Sequence, residues 1–306
     1  MTDIAINETG LAPDPAPESA PRLGDTPRRK RRLGLSPSLI VALALVLIVV
    51  LMIVVIPFLP GYDPLTQDLT KRFLLPGSPG HLLGTDQLGR DMLDRLALAG
   101  RTSLSIAIPA VAVNIVIGVL LGLFAGYFGG WLDNVISALA DIQLAIPIML
   151  LLIAIVSAIG PSEITLIVVI GLTNWVGYAR VSRATAWQLR EREFMWAPKT
   201  HGASRPWIMR KHLLPNVIPS LAVLVPFDIG VIILLEAALS YLGLGIQAPT
   251  PSWGGMIKDG QAYLSLSPLT TVLPGIMLFM LVAGLQFASQ RLTGERDGVR
   301  QDAFSQ

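Results

Sequence analysis

The chain has 306 residues, of which 52% are hydrophobic and 14% charged, against roughly 25% charged in an average soluble domain. A soluble fold of this size has no interior large enough for that apolar surface, so a lipid bilayer is the expected solvent. The absence of cysteine excludes disulfides, cysteine-ligated zinc and cysteine nucleophiles. His81, His201 and His212 stand outside any metal-ligand spacing, and no cofactor is expected.

In chain order, residues 1–35 are polar, rich in Pro, Ala and Asp, and without an apolar period, a composition that predicts a disordered basic arm. The arm ends in Arg28-Arg29-Lys30-Arg31-Arg32. Such a run suits nucleic acid, but an apolar run follows at once, so no nucleic-acid partner is expected. Residues 36–59 predict a first transmembrane helix, because 38–56 are apolar and uncharged, long enough for roughly 30 Å of hydrocarbon. A cleaved signal peptide would have a shorter apolar stretch and a small-residue cleavage site, where this chain has Ile56-Pro57-Phe58-Leu59-Pro60.

Residues 60–104 read as a polar external segment, and 105–290 as a core of five further crossings near 106–128, 132–159, 164–181, 217–244 and 269–287. Residues 291–306 form a polar tail. Six crossings put both termini on one side. Six of the 23 Lys and Arg lie in the N-terminal arm, eight between Arg180 and Lys211, and three from Arg291 onward. That bias predicts both termini and the 180–214 loop on the cytoplasmic side.

Within the second crossing, Gly118, Gly122 and Gly126 form a small-residue stripe for close helix approach. It serves either packing within the subunit or dimerisation. Pro109, Pro147, Pro226 and Pro274 predict kinks in separate crossings. Asp133, Asp141, Asp228 and Glu236 lie within or at the edge of apolar segments, where a carboxylate needs a partner or a water-filled cavity. Asp228 and Glu236 come within about 80° of one helix face, so they either line a path or pair structurally with another helix. Asp141, Asp228 and Glu236 are the candidate pathway or gating residues. No phosphate-binding loop and no Gly-x-Ser-x-Gly or His-Glu-x-x-His motif occurs, so neither ATP binding nor covalent catalysis is expected of this chain.

The loop at 191–215 is amphipathic, with Phe194, Trp196, Trp207, Ile208 and Leu213 among charges. It reads as a membrane-surface helix or as a short helix pair turning at Gly202. Gly202 marks a turn needing a conformation or a close approach that a side chain would disturb.

At this point the chain resembles the permease subunits of ATP-binding-cassette importers for dipeptides and oligopeptides. The resemblance covers about residues 38–290. It is carried by His81 and the run Leu83-Gly84-Thr85-Asp86-Gln87-Leu88-Gly89-Arg90-Asp91, and by Ala125-Gly126-Tyr127-Phe128-Gly129-Gly130-Trp131-Leu132-Asp133. It continues through Asp141-Ile142-Gln143-Leu144-Ala145-Ile146-Pro147, Glu236-Ala237-Ala238-Leu239-Ser240-Tyr241-Leu242-Gly243-Leu244-Gly245 and Pro249-Thr250-Pro251-Ser252-Trp253-Gly254. The 191–215 loop is similar to the family's coupling loop. Gly202 and Leu214-Pro215 stand at matching positions, while Trp196, Pro198 and His212 replace the usual Glu, second Ala and Ile.

The resemblance implies an all-α membrane protein of six transmembrane helices, with the type I importer permease fold. It implies a multi-pass subunit of the bacterial inner membrane, with a second permease subunit, two ATP-binding subunits and an external substrate-binding protein as partners. Contacts to the ATPases would come from Glu193, Trp196, Ala197, Gly202, Ala203, Leu214 and Pro215. Two other classes remain open on sequence: a proton-driven transporter using Asp228 and Glu236, and a membrane-embedded enzyme.

Overall fold

The computed structural model describes the backbone of residues 37–304 and the side chains of 39–290 except Ala197 and Lys199. The basic arm at 1–35 and the side chains of the tail lie outside the described residues. Every regular element among the described residues is helical. Helix α1, Pro37–Val55, continues into a 3-10 turn, Ile56–Phe58. It packs on the last helix, and most of its surface is left for lipid.

Residues 59–91 fold over the N-terminal end of α2, Met92–Phe128. Asp91 caps that helix by accepting the N–H groups of Leu93 and Asp94 and pairs with His81 at 2.8 Å. A cap at 91 starts the helix a dozen residues before the expected end of the external segment at 104. The preceding turn holds Asp86, whose Oδ1 accepts the Leu88 and Arg90 amides and whose Oδ2 meets Arg90 Nε at 2.7 Å and Arg95 Nε at 3.2 Å. Gly84 and Gly89 both have positive φ, and a Cβ at Gly89 would stand 1.8 Å from the Asp68 carbonyl oxygen. The Leu-Gly-Thr-Asp run is therefore a structural clasp. In the same segment, hydrogen bonds from Thr66 and Thr70 hold the Asp63 and Asp68 carboxyls below the usual carboxylate range.

Helix α3, Gly130–Ala145, and α4, Ile148–Ile159, meet at Ile146-Pro147 with an 87° bend. Helices α5, Glu163–Thr173, and α6, Val176–Arg190, form a second interrupted span, broken at Asn174-Trp175. Short helices α7, Trp196–Thr200, and α8, Arg205–Ile208, lead through a π-helical turn, Met209–Leu213, into α9, Leu214–Ala222. Then come α10, Leu224–Tyr241, α11, Trp253–Gln261, and α12, Leu269–Phe304. Among the described residues, five spans are long and apolar enough to cross a membrane, and the bent α3–α4 pair makes a sixth if it counts as one.

Two boundaries differ from the hydropathy pattern for physical reasons. The fourth crossing runs on to Arg190, past the expected end at 181, because Arg180 and Arg183 meet carboxylates on α3. Residues 217–222 belong to α9, which packs against α6 rather than extending α10.

The glycine stripe resolves to packing within the chain. A Cβ at Gly118, Gly122 or Gly126 would lie 2.5, 2.3 or 2.5 Å from Tyr178 Cβ, the Ala179 oxygen or the Arg183 oxygen, all on α6. The two oxygens, and the Trp175 oxygen 2.6 Å from the Gly118 position, are backbone atoms that cannot move aside, so these three positions set how closely α2 and α6 approach. The main core is formed by α2, α5, α10 and α12, with α1, α4 and α11 against it, around Leu96, Ile106, Ile170, Ile233 and Trp253.

Candidate functional site

The 191–215 loop has two faces. Met195, Ile208 and Leu213 are almost fully buried, in one cluster with Val119 and Leu123 of α2 and Tyr178 and Ala186 of α6. Phe194, Trp196 and Trp207 are 45%, 59% and 44% exposed on the other side. Pro198 and Pro206 fit because each falls in a first turn, where a backbone N–H has no intrahelical acceptor, while Pro215 follows directly on the π-helical turn Met209–Leu213. Pro198 is the third residue of α7, Pro206 the second of α8 and Pro215 the second of α9.

Gly202 has φ +77°, and the Ala203 N–H donates to the Pro198 carbonyl at 3.0 Å, closing α7 as a glycine-capped helix end. A Cβ at 202 would meet nothing within 4 Å. The glycine is thus required by conformation and not by any close approach within this chain. Glu193, Pro215 and Gly202 are exposed, and Ala203 and Leu214 are half-buried. The Ala197 side chain lies outside the described residues.

The membrane carboxylates divide into two kinds. Glu236 is 0% exposed, with Ser103 Oγ of α2 donating to Oε2 at 2.9 Å and Ser240 Oγ donating to Oε1 at 2.6 Å. Asp228 is 6% exposed, with Asn114 Nδ2 donating to Oδ2 at 3.1 Å and Asn174 Nδ2 donating to Oδ1. Among the described residues neither carboxylate has an ion-pair partner.

Asp141 and Asp133 are instead paired with arginines of α6. Arg183 grips Asp133 with Nε and Nη2, at 2.5 and 2.7 Å. Arg180 Nη2 reaches Asp141 Oδ1 at 3.2 Å, and these two side chains are 58% and 72% exposed. The structure therefore brings Asp228 and Glu236 onto one helix in separate closed clusters and leaves Asp141 open on another face. Sequence reasoning missed Arg180 and Arg183 as partners. The signal was acids eight apart on α3 and bases three apart on α6, each set near one face.

A helical membrane bundle with interrupted spans and a two-faced helical loop anchored to two of them defines a transporter permease fold. A family model described as "Binding-protein-dependent transport system inner membrane component" matches residues 118–292, more than half of the chain. The nickel transport system permease protein NikC of Escherichia coli (strain K12) is 37% identical over 236 residues, 77% of this chain and 85% of that protein. The dipeptide transport system permease protein DppC of Bacillus subtilis (strain 168) is 37% identical over 240 residues, 78% and 75% of the two chains. The oligopeptide transport system permease protein OppC of Haemophilus influenzae is 31% identical over 272 residues, 88% and 86%. Among solved structures, an inward-facing form of the MetNI methionine ABC transporter aligns with a TM-score of 0.51 at 21% identity, covering 64% of this chain and 94% of that one. The chain belongs to the binding-protein-dependent inner-membrane transport components.

Proposed function

We propose that this chain is the channel-forming membrane subunit of a peptide importer whose ATP is hydrolysed on separate subunits. Within the fold, the observation that carries the reading is the loop at 191–215, a rigid double turn with one face locked into α2 and α6 and an aromatic face turned outward. ATPase subunits docked on Glu193, Trp196, Ala197, Gly202, Ala203, Leu214 and Pro215 push that face. The Met195–Ile208–Leu213 cluster passes the displacement to α2 and α6, which shift against α3. A second permease subunit completes the path, and an external binding protein delivers substrate. ATP turnover and loaded binding protein bias the bundle between two states.

The concentration of Lys and Arg in the arm, in 190–211 and in the tail supports a cytoplasmic position for both termini and this loop. Identity is 37% to both a nickel and a dipeptide permease, so overall similarity does not choose a substrate. Peptide is the reading for this chain because the dipeptide and oligopeptide permeases together account for most of the similar proteins named. A proton-driven mechanism through Asp228 and Glu236 fares worse, since both carboxylates are enclosed and held by amide or hydroxyl donors.

The test is import of a labelled dipeptide into proteoliposomes holding the chain with its permease and ATPase partners. Uptake is expected to require ATP and loaded binding protein. Uptake driven by a proton gradient without ATP overturns the reading. Reporter fusions at Ser204 and after Gln290 are expected to read cytoplasmic, and those at Gly77 and Ser252 external.

A further inference from the structure

Two charged side chains stand open on helices of candidate membrane spans. Arg180 is ten residues, about 15 Å of rise, from the end of α6 at Arg190, and Asp141 is eleven residues, about 16 Å, from the start of α3 at Gly130. Each distance is about half of a hydrocarbon core roughly 30 Å thick. Their side chains are 58% and 72% exposed, while Leu139, Ile142, Leu144, Leu150 and Leu172 around them present bare hydrocarbon. Ionisable side chains within membrane spans almost always face a protein partner or a water-filled cavity rather than lipid.

The backbone at the same level says which. The α3–α4 bend and the α5–α6 break come together, joined by a hydrogen bond from Gln143 Nε2 to the Thr173 carbonyl. Between them lies a cavity of 410 Å³ lined by residues of both interruptions, including Gln143, Thr173, Asn174, Gly177 and Arg180. Interrupted helices are tolerated at membrane depth where they border protein or a water-filled cavity, and in transporters such breaks form substrate sites. A second cavity, of 300 Å³, continues along the α3–α6 seam past Asp141 to Arg183, and the two share Arg180. The larger falls within the size range of small-molecule sites.

We propose that Asp141 and Arg180 form a binding site for the two termini of a peptide in transit, an inference that rests on the peptide-importer reading above. A peptide without charged side chains carries one ammonium and one carboxylate, the same two charges as the pair it meets. Its carboxylate takes the Arg180 fork, which suits planar bidentate recognition, and its ammonium takes Asp141. The exchange leaves no ion bare in a low-dielectric site, because each partner of the closed pair is replaced by an equivalent charge. The pair opens readily. It rests on one 3.2 Å contact between exposed side chains. The termini of an extended dipeptide are about 7 Å apart, so the two side chains swing apart to admit it. Peptide side chains point into open volume beside Gly177, where a Cβ meets nothing within 4 Å. A site of this kind reads the peptide ends and tolerates many side chains.

The experiment uses the complete importer in proteoliposomes with labelled alanylalanine as probe. If the wild type does not import the dipeptide, the functional reading fails and the inference with it. Given import, Arg180→Gln and Asp141→Asn are each expected to lower peptide transported per ATP about tenfold. Binding-protein-stimulated ATP hydrolysis should persist, Asp141→Glu should retain most transport, and Arg180→Lys should retain part of it, because the charge stays and the bidentate fork is lost. Unchanged transport in the neutral variants overturns the site while leaving the importer reading intact. The chain has no cysteine, so a single introduced thiol reports its own surroundings if the charge variants fail to assemble. A charged, membrane-impermeant thiol reagent should label Gly177→Cys much faster than Leu172→Cys, and turnover with loaded binding protein should slow labelling at 177. Equal labelling at the two positions places the face in lipid and refutes the proposal.

Discussion

The carboxylate of Glu236 and that of Asp141 belong to the same bundle and have opposite surroundings. Glu236 is 0% exposed and closed in by Ser103 and Ser240, whereas the Asp141 side chain is 72% exposed beside Arg180. The first is a pin that ties α2 to α10, and everything it touches is already there. The second has one partner among the described residues and an open side. The same contrast runs through the helices. The α2–α6 seam is closed to backbone contact by three glycines, while the α3–α6 seam, on another side of α6, holds cavities and ion pairs. Closed regions should therefore answer to stability, and open regions to transport.

The largest expected effect is on the closed seam. In Gly122→Val the new Cβ would stand 2.3 Å from the Ala179 oxygen and 2.7 Å from Ser182 Cβ. The two helices must separate, at a cost of about 3 kcal/mol. The expected outcome is loss of the assembled complex from detergent extracts by size-exclusion chromatography. A normally assembled, normally melting complex would mean that the α2–α6 seam is looser than drawn here.

Next comes the pin itself. Glu236→Ala leaves two buried serine hydroxyls without their acceptor and opens a void, for about 2 kcal/mol or more. Glu236→Gln keeps an acceptor oxygen and the volume, and should cost about 1 kcal/mol. Thermal melting of the purified complex distinguishes the two. Equal and large losses would imply a cation partner on Glu236 that the described residues do not include.

Parts of this division were legible in sequence. Six apolar runs, the small-residue stripe and the Gly202 turn announce themselves through local spacing, because a helix face, a close approach and a left-handed residue are each set by a few neighbouring positions. Contacts across helices were not legible. Asn114 with Asp228 and Ser103 with Glu236 join positions more than a hundred residues apart, and no periodicity encodes such a pairing. The α6 arginines looked like loop residues because their charge is offset only in three dimensions, by Asp133 and Asp141. Helix α11 went unread because its surface is polar, even though Ser252 caps it and Trp253 anchors it in the core.

A smaller effect on the fold is expected at Gly202. Its φ of +77° strains any L side chain, but a Cβ there has free space. Gly202→Val should cost about 1–2 kcal/mol, felt locally at the α7 C-terminus. Gly202→Asn should cost less, because Asn tolerates the left-handed region. If the position matters only through this turn, coupled ATP hydrolysis should follow the order glycine, Asn, Val. If a partner also presses on the open space above residue 202, Asn should be as damaging as Val. A full rate in both variants would remove Gly202 from the docking surface.

The smallest expected effect on the fold is at Trp196, and it sharpens the comparison most. Met195, its neighbour in sequence, is 0% exposed and belongs to the cluster with α2 and α6, while Trp196 is 59% exposed. One residue thus separates the anchoring face of the loop from the outward face. Met195→Ala should lower the melting temperature, since truncating a buried methionine costs about 2 kcal/mol or more. Trp196→Glu changes an exposed position and should leave stability within about 0.5 kcal/mol. Its effect should appear instead in co-purification of ATPase subunits with the membrane subunits. A docking groove shaped for an indole loses apolar contact and receives a charge it must desolvate, so retention should fall while the melting curve stays in place. A groove that accepts the carboxylate as well as the indole would leave retention unchanged, and Trp196 would then be a neutral variation on the outward face. A fall in melting temperature equal to that of Met195→Ala would contradict the division itself, because it would show that the outward face of the loop is part of the core.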